Sequence, residues 1–217
     1  MSSHDERRRS RARGRQADAA PGPTRLFLVR HGEVEGEGAL HGHVDVALTP
    51  RGVAQAEAVA ERLRAEPLCA VYASDLRRSL RGAELVAAHH GLAVAVDPAF
   101  RELHMGEWDG RAFRELWETD RARLEAWWAD LEGYVLPGGE SLAILRRRVL
   151  EALCSLLGRH AGRTVCLVAH GGVNRVILFE TLGLPLACYH RVAQDYGCVN
   201  LLEWHPDGNG LVRLING

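Results

Sequence analysis

Lysine is absent from this chain of 217 residues, and all 27 basic side chains are arginine. The absence excludes Schiff-base chemistry and a lysine general base, because both need an ε-amino group. The 28 acidic residues nearly balance the arginines and leave a formal net charge of −1. This balance gives no indication of a nucleic-acid partner or of binding to an anionic membrane surface.

Long apolar runs are also absent, and cysteine is scarce. No stretch approaches the roughly 20 apolar residues that a membrane-spanning helix needs, and the N-terminus lacks the hydrophobic segment of a secretory signal. The five cysteines are odd in number and have no CxxC spacing, so neither a disulfide framework nor a zinc site is indicated. We expect a cytoplasmic protein without a membrane partner.

Arginine and few apolar residues characterise the first 23 residues, which end in a Pro-Gly-Pro turn. Such a segment cannot bury enough apolar surface to offset the entropy of ordering it. We predict a disordered tail over 1–23 and a single domain over 24–217, which is long enough for a sizeable core. The alternative is an arm that contacts anions or nucleic acid.

Short apolar runs alternate with amphipathic stretches over the rest of the chain. The predicted strands are 26–29, 68–73, 93–96, 165–169, 199–204 and 211–215. The predicted helices begin near 50, 75, 111, 142 and 172. This alternation is typical of an α/β fold, and it predicts a three-layer α/β/α sandwich with a mostly parallel sheet.

Two helix starts have explicit capping signals. Thr49 followed by Pro50 predicts an N-cap and a proline at the first helical position. Asp75 is predicted to cap the helix that runs to about His90.

Two histidines follow predicted strands, and a glycine comes after each of them. Arg30 and His31 follow the first strand, and His170 follows the strand that ends at Ala169. Ligands of open α/β sheets bind at the carboxyl ends of the strands. The two histidines are therefore expected to form one site, where a guanidinium can hold an anion and an imidazole can act as a nucleophile.

Six segments resemble, in order, the histidine phosphatase superfamily, which is also called the phosphoglycerate mutase-like family. The matching segments are 28–33, 42–52, 72–78, 101–110, 137–141 and 168–172. The resemblance covers nearly all of 25–217, and it implies a phosphoglycerate mutase-like α/β/α fold.

The resemblance also implies a role for each site residue. His31 would attack phosphorus and form a phosphohistidine, and Arg30 and Arg78 would bind the phosphate. His170, if protonated, would add charge to the transferring oxygens, and the glycines after it aim backbone N–H groups at an anion. Glu102 would protonate the leaving alkoxide and then deprotonate the incoming water. No metal and no cofactor are implied.

Some assignments have competitors along the chain. Arg77 lies next to Arg78, so a shift of one residue would exchange their roles. Glu33 and Glu107 are substitutes for Glu102. Three further histidines resemble residues at the pocket rim but are interpreted as solvated loop residues: His41, His43 and His104.

The loop after Glu33 departs from the family pattern. Many members carry Ser or Thr and then Asn at this point, whereas this chain has Val34 and an acidic, glycine-rich stretch over 34–38. We therefore expect that one phosphate contact is lost or is supplied by the backbone, and that the loop repels strongly anionic substrates.

The predicted function is a metal-independent phosphomonoesterase that acts on a small phosphorylated metabolite, with α-ribazole 5′-phosphate as a candidate. A cofactor-dependent phosphoglycerate mutase is the first alternative, but the stretch between Glu102 and His170 is shorter than in those enzymes. A non-catalytic phosphate-binding scaffold is the second alternative. Whether the protein is a homo-oligomer stays open.

Overall fold

A computed structural model describes residues 22–36 and 38–217. Nearly all of the predicted tail therefore lies outside the described residues, and the tail stays a prediction. Within the described part, no helix has both the length and the apolar character needed to cross a bilayer.

Strands and helices alternate as predicted. The strands are β1 Thr24–Arg30, β2 Leu68–Ala73, β3 Val94–Val96, β4 Thr164–Ala169, β5 Val199–Trp204 and β6 Gly210–Leu214. The α-helices are α1 Pro50–Leu63, α2 Arg77–His90, α3 Phe113–Thr119, α4 Arg121–Ala129, α5 Leu142–Arg159 and α6 Gly171–Leu182. Short 3₁₀ helices lie at Pro98–Phe100, Gly106–Trp108 and Leu186–Arg191.

The strands form one sheet in the order β3-β2-β4-β1-β5-β6. The pairings from β3 to β1 are parallel, whereas β5 and β6 are antiparallel to their neighbours. All six residues of the central strand β4 are buried, as expected for a parallel strand covered on both faces. The prediction of a mostly parallel sheet is confirmed, with an antiparallel pair at one edge.

Helices cover both faces of the sheet. Successive side chains of a strand point to opposite faces, so neighbouring residues of β1 contact different helices. Leu26 and Leu28 of β1 lie in the core cluster that α5 and α6 cover. Phe27 and Val29 lie in the second cluster, which α1 and α2 cover. The three-layer α/β/α prediction is therefore confirmed.

One of the two predicted helix caps is correct. The hydroxyl of Thr49 accepts a hydrogen bond from the Gly52 N–H at 2.9 Å, and Pro50 is the first residue of α1. The prediction for Asp75 is wrong, because α2 begins at Arg77 with Leu76 as its N-cap residue. The Asp75 carboxylate instead accepts from Arg101 Nε at 2.6 Å, a charge-assisted bond that is stronger than a neutral cap.

The predicted helical region over 111–130 is two helices, α3 and α4, separated by Asp120. Asp120 adopts an extended φ of −141°, and its carboxylate accepts from Trp108 Nε1 at 2.7 Å and from Arg123 Nε at 2.7 Å. These bonds hold Asp120 to Trp108 and Arg123 in a non-helical conformation between α3 and α4.

Candidate active site

The candidate site lies at the carboxyl ends of β1, β2 and β4. These strands are parallel, and their register pairs Arg30 with Ala169. His31 therefore leaves β1 beside His170, and the His31 N–H donates to the Ala169 carbonyl at 3.0 Å. The expectation that the two strand-end histidines meet is confirmed by this geometry, and their ring centroids are 5.1 Å apart.

The imidazole of His31 is buried and has a defined tautomer. Its Nδ1 lies 2.7 Å from the Gly32 carbonyl oxygen. Because a carbonyl only accepts, Nδ1 carries the proton and Nε2 keeps a free lone pair. Burial, followed by the charges of Arg78 and Arg30, lowers the pKa of His31 well below its ordinary value. His31 is therefore neutral near pH 7 and has a nucleophilic nitrogen.

His170 is fully buried behind His31. Its Nε2 lies 2.8 Å from the hydroxyl of Ser74, the residue that follows β2. Burial and the neighbouring Arg78 lower the pKa of His170 well below its ordinary value, so the imidazole is neutral in this site. A bound phosphate dianion would offset the arginine charges and favour the protonated form.

Arg30 lies at the pocket wall and is held from two sides. Its guanidinium carbon lies 3.9 Å from the centroid of the Tyr196 ring, which is the geometry of a cation–π contact. Its Nη1 donates to the carbonyl of Gln194. The chain segment before β5 therefore orients this arginine.

The two adjacent arginines occupy different environments. Arg78 is fully buried, whereas 61% of the Arg77 side chain is exposed and donates to the carbonyl of Asp45. Arg78 donates to Val44 at 2.8 Å, to Gly42 at 2.7 Å and to His41 at 3.2 Å, all at carbonyl oxygens. Of its five N–H groups, three are thus used within the described residues, and Arg78 rather than Arg77 adjoins the histidines.

Glu102 lines the pocket with its carboxylate fixed by the backbone. Oε1 accepts from the Leu103 N–H at 2.8 Å, and Oε2 accepts from the Gly172 N–H at 2.9 Å. Gly172 belongs to the first turn of α6, so the acid lies at the end of the helix that follows His170.

The two substitutes for Glu102 lie elsewhere. Glu33 accepts from the hydroxyl of Thr49 at 3.0 Å and pairs with Arg51 at 3.4 Å. Glu107 is exposed and pairs with Arg123 at 2.9 Å. Neither lines the pocket that contains His31, whereas Glu102 does.

The pocket has a volume of about 220 Å³ and a mostly apolar or aromatic wall. Arg30, His31, His41 and Glu102 supply its ionisable side chains, together with two tyrosines. The two tyrosines are Tyr189 and Tyr196, and the remaining lining residues are Val34, Ala39, Leu40, Leu103, Met105 and Trp127. Val34, which stands where many family members carry a Ser or Thr, thus adds an apolar side chain to the pocket wall.

The three histidines interpreted as solvated loop residues are all partly buried, so that interpretation is wrong. His41 lines the pocket, and its Nε2 lies 3.0 Å from the Gly36 carbonyl. His43 and His104 stack with ring centroids 4.3 Å apart. The Nε2 of His43 lies 3.0 Å from the carbonyl oxygen of Glu102.

Within 22–36 and 38–217, no three His, Cys, Asp or Glu side chains are grouped so that they could hold a metal ion. The metal-free mechanism stays a prediction, which the chelator experiment below tests.

Several residues of the site were not predicted. Ser74 has a signal in the sequence, because it follows β2 at the same sheet edge as the two histidines. Tyr196 and Gln194 have none, since they reach Arg30 from a segment more than 160 residues away along the chain. Tyr189, which also lines the pocket, has none either.

Comparisons with known proteins agree with the predicted resemblance. A protein-family model described as "Histidine phosphatase superfamily (branch 1)" matches residues 26–217. An adenosylcobalamin/alpha-ribazole phosphatase of Salmonella typhimurium is 30% identical over 194 residues, which are 88% of this chain and 96% of that protein. A Yersinia enterocolitica protein named "Probable phosphoglycerate mutase GpmB" is 38% identical over 162 residues, 74% of this chain and 75% of that protein.

A solved structure is similar over most of the chain. The alpha-ribazole phosphatase from Shigella flexneri superposes with a TM-score of 0.81 at 28% identity. The superposition covers 89% of this chain and 96% of that chain. The similarity therefore extends over most of the length of both chains.

Proposed function

The chain belongs to the histidine phosphatase superfamily, and we propose that it hydrolyses phosphate monoesters through a phosphohistidine at His31 without a metal. One observation carries the proposal: a neutral imidazole with a free Nε2 lies in a pocket that Arg30 and the carboxyl group of Glu102 also line, and the charge of Arg78 acts on the same imidazole. Relatives named as phosphatases and as a mutase support an enzyme of this kind.

Binding requires several donors at once, because a phosphate monoester carries about two negative charges near neutral pH. Arg30 lines the pocket, and Arg78, whose charge acts on His31, has two N–H groups that bind no atom of the described residues. The first turn of α6, which follows His170, adds backbone N–H groups and the positive end of a helix dipole. His170 becomes a further donor when the dianion favours its protonated form.

The first step transfers the phosphoryl group to the protein. His31 Nε2 attacks phosphorus in line, an N–P bond forms, and the bond to the ester oxygen breaks. Glu102 enters protonated and gives its proton to the leaving alkoxide. The two N–H groups that bind the Glu102 carboxyl group leave each oxygen a second lone pair, so the carboxyl can carry that proton without losing its position.

The second step regenerates the protein. Glu102, now a carboxylate, takes a proton from water, whose oxygen attacks phosphorus while the N–P bond breaks. The products are inorganic phosphate and neutral His31, and Glu102 is protonated again. A proton from water therefore replaces the one that Glu102 gave to the leaving alcohol.

The pocket wall supports a substrate whose leaving alcohol is uncharged and has an apolar surface. Arg30 is the only arginine among the described residues that line the pocket, and the phosphate takes it. A second anionic group, such as the carboxylate of phosphoglycerate, would then have no guanidinium partner there. A flat aromatic or apolar alcohol, with α-ribazole 5′-phosphate as the candidate, fits a wall that includes Trp127, Met105 and Leu40.

The experiment measures phosphate release from p-nitrophenyl phosphate, α-ribazole 5′-phosphate and 3-phosphoglycerate in excess EDTA. We expect release that resists EDTA and is lost in His31→Ala but not in His89→Ala, an exposed histidine on α2. Release that EDTA abolishes, or that His31→Ala retains, would refute the proposed mechanism.

A phosphoglycerate mutase is the second candidate, because the relative that carries this name is 38% identical. It predicts conversion of 3-phosphoglycerate to its 2-isomer in the presence of 2,3-bisphosphoglycerate, with little phosphate released. Phosphate binding without either reaction would instead favour a non-catalytic scaffold.

A further inference from the structure

Arg148, on helix α5, binds the loop that carries Glu102. Its Nη1 donates to the carbonyl oxygens of Ala99 and Arg101, each at 2.7 Å. Its Nη2 donates to the carbonyl oxygen of Glu102 itself at 2.8 Å. One guanidinium therefore holds three carbonyl groups over four consecutive residues, and it does so without lining the pocket.

Glu140 fixes this guanidinium from the other side. The carboxylate accepts from Arg148 Nε at 3.1 Å and from Arg148 Nη2. Glu140 is itself buried, and its Oε1 also accepts from the His104 N–H at 2.9 Å. The Glu140 N–H donates in return to the His104 carbonyl at 3.0 Å. The ion pair thus binds the backbone on both sides of Glu102, at Ala99 and Arg101 before it and at His104 after it.

All five N–H groups of Arg148 are used in this arrangement: three bind carbonyl oxygens and two bind Glu140. A lysine has only three donors on one nitrogen and cannot reproduce this fork. This ion pair is partly buried, with 22% of the Arg148 and 10% of the Glu140 side chain exposed, and such a pair contributes little to stability on balance, because desolvation offsets much of the attraction. Its cost is therefore better explained by what it positions than by stability alone.

We propose that Arg148, with Glu140, is a positioning residue for the general acid: it fixes the backbone of Glu102 so that the carboxyl group stays at the Gly172 N–H and at the leaving oxygen. The inference rests on the proposed function, because it assumes that Glu102 is the acid. His43 contacts the same carbonyl, with its Nε2 at 3.0 Å from the Glu102 carbonyl oxygen.

The expected signature is dependence on the leaving group. A misplaced acid slows substrates whose alkoxide needs a proton, whereas p-nitrophenolate leaves without one. A misplacement of about 1 Å costs on the order of 100-fold in rate. Arg148→Lys should therefore lower kcat for an alkyl phosphate about 10- to 100-fold and change kcat for p-nitrophenyl phosphate much less.

The experiment compares Arg148→Lys and Glu140→Gln with Glu102→Gln and with Arg146→Lys. Arg146 is the matched control, since it lies on the same helix but forms a surface ion pair with Glu180 at 2.6 Å. For each variant, kcat and KM are measured over a series of phosphate esters of graded leaving-group acidity, together with the thermal unfolding midpoint.

A steeper dependence on leaving-group acidity in Glu102→Gln and in Arg148→Lys, but not in Arg146→Lys, would support the proposal. If Glu102→Gln becomes steeper while Arg148→Lys and Glu140→Gln lose activity equally on all esters, the positioning role is overturned and the acid role stands. If Glu102→Gln shows no steeper dependence, the acid role fails and the positioning role fails with it. Should Arg148→Lys not fold, Glu140→Gln, which keeps the size of the side chain, decides the question.

Discussion

Gly172 has no side chain and therefore leaves room for the carboxyl group of Glu102. A Cβ there would lie 2.1 Å from Glu102 Oε1 and 2.8 Å from the hydroxyl oxygen of Tyr189. The nearest obstacle is the end of a side chain that can turn away, so Gly172→Ala should fold but displace the carboxyl group. We expect a fall of about 100-fold or more in kcat for alkyl phosphates, the usual contribution of a general acid, and a smaller fall for p-nitrophenyl phosphate.

The matched control for this glycine is Gly158→Ala. A Cβ at position 158 meets nothing within 4 Å, and alanine is the better helix former. This variant should keep the activity of the parent on both classes of ester. Equal activity of Gly172→Ala and the parent on alkyl phosphates would contradict the role of Gly172, because Glu102 would then tolerate the methyl group.

One carboxylate, that of Asp109, binds the loop over residues 42–44. Asp109 accepts from the N–H groups of Gly42, His43 and Val44 at 2.8, 2.6 and 3.0 Å. The carbonyl groups of this loop in turn hold Arg78. The Asp109 side chain therefore supports, through the loop, the arginine that is proposed to bind phosphate.

Asp109→Ala should destabilise the protein by about 1 kcal/mol, because the partly buried N–H groups of Gly42 and His43 lose their acceptor. It should also raise the inhibition constant of inorganic phosphate, because the carbonyl groups that aim Arg78 lose their support. Urea unfolding and phosphate inhibition measure the two effects. Glu118→Ala, which removes the exposed partner of Arg114, is the control and should change neither; an unchanged phosphate inhibition constant in Asp109→Ala would refute the link to Arg78.

At the level of elements, patterns within a few residues predicted the structure well. Thr49 with Pro50 gives the start of α1, and the apolar run before His170 gives β4, because cap and burial are local properties. Asp75 failed as a cap since Arg101, 26 residues away, takes its carboxylate. The break at Asp120 was missed as well, because its carboxylate binds Trp108, 12 residues earlier in the chain, and no helix pattern marks that contact.

The sequence could predict the histidines of the candidate site but not the residues that orient them. Parallel strands necessarily bring the residues after β1 and β4 to one edge, so His31 and His170 follow from topology. The residues that orient them depend on tertiary contacts that no local pattern encodes. Arg148 is one of 27 arginines, and nothing around it in the sequence marks it as the partner of Glu102.

At the scale of the whole molecule, the division into a tail and one domain stays a proposal. The family match begins at residue 26 and β1 begins at Thr24. Deletion of residues 1–21 should therefore leave kcat, KM and the thermal unfolding midpoint unchanged. A fall in activity after the deletion, reversed when the segment is restored, would instead show that the arginine-rich segment contributes to the enzyme.

The buried histidines make the stability of the whole molecule depend on pH. Burial lowers the pKa of His31 and of His170 in the folded state, whereas the unfolded chain binds protons at about pH 6.5. The unfolded state therefore holds more protons below that pH, and the free energy of unfolding must fall as the solution is acidified. Each such histidine contributes a slope of up to about 1.4 kcal/mol per pH unit between the two pKa values.

Urea unfolding between pH 5 and 7 in phosphate-free buffer should show this slope. His31→Asn should reduce the slope by the contribution of about one proton. A slope that is the same in His31→Asn and in the parent would mean that His31 is protonated in the folded protein and is not the neutral nucleophile proposed.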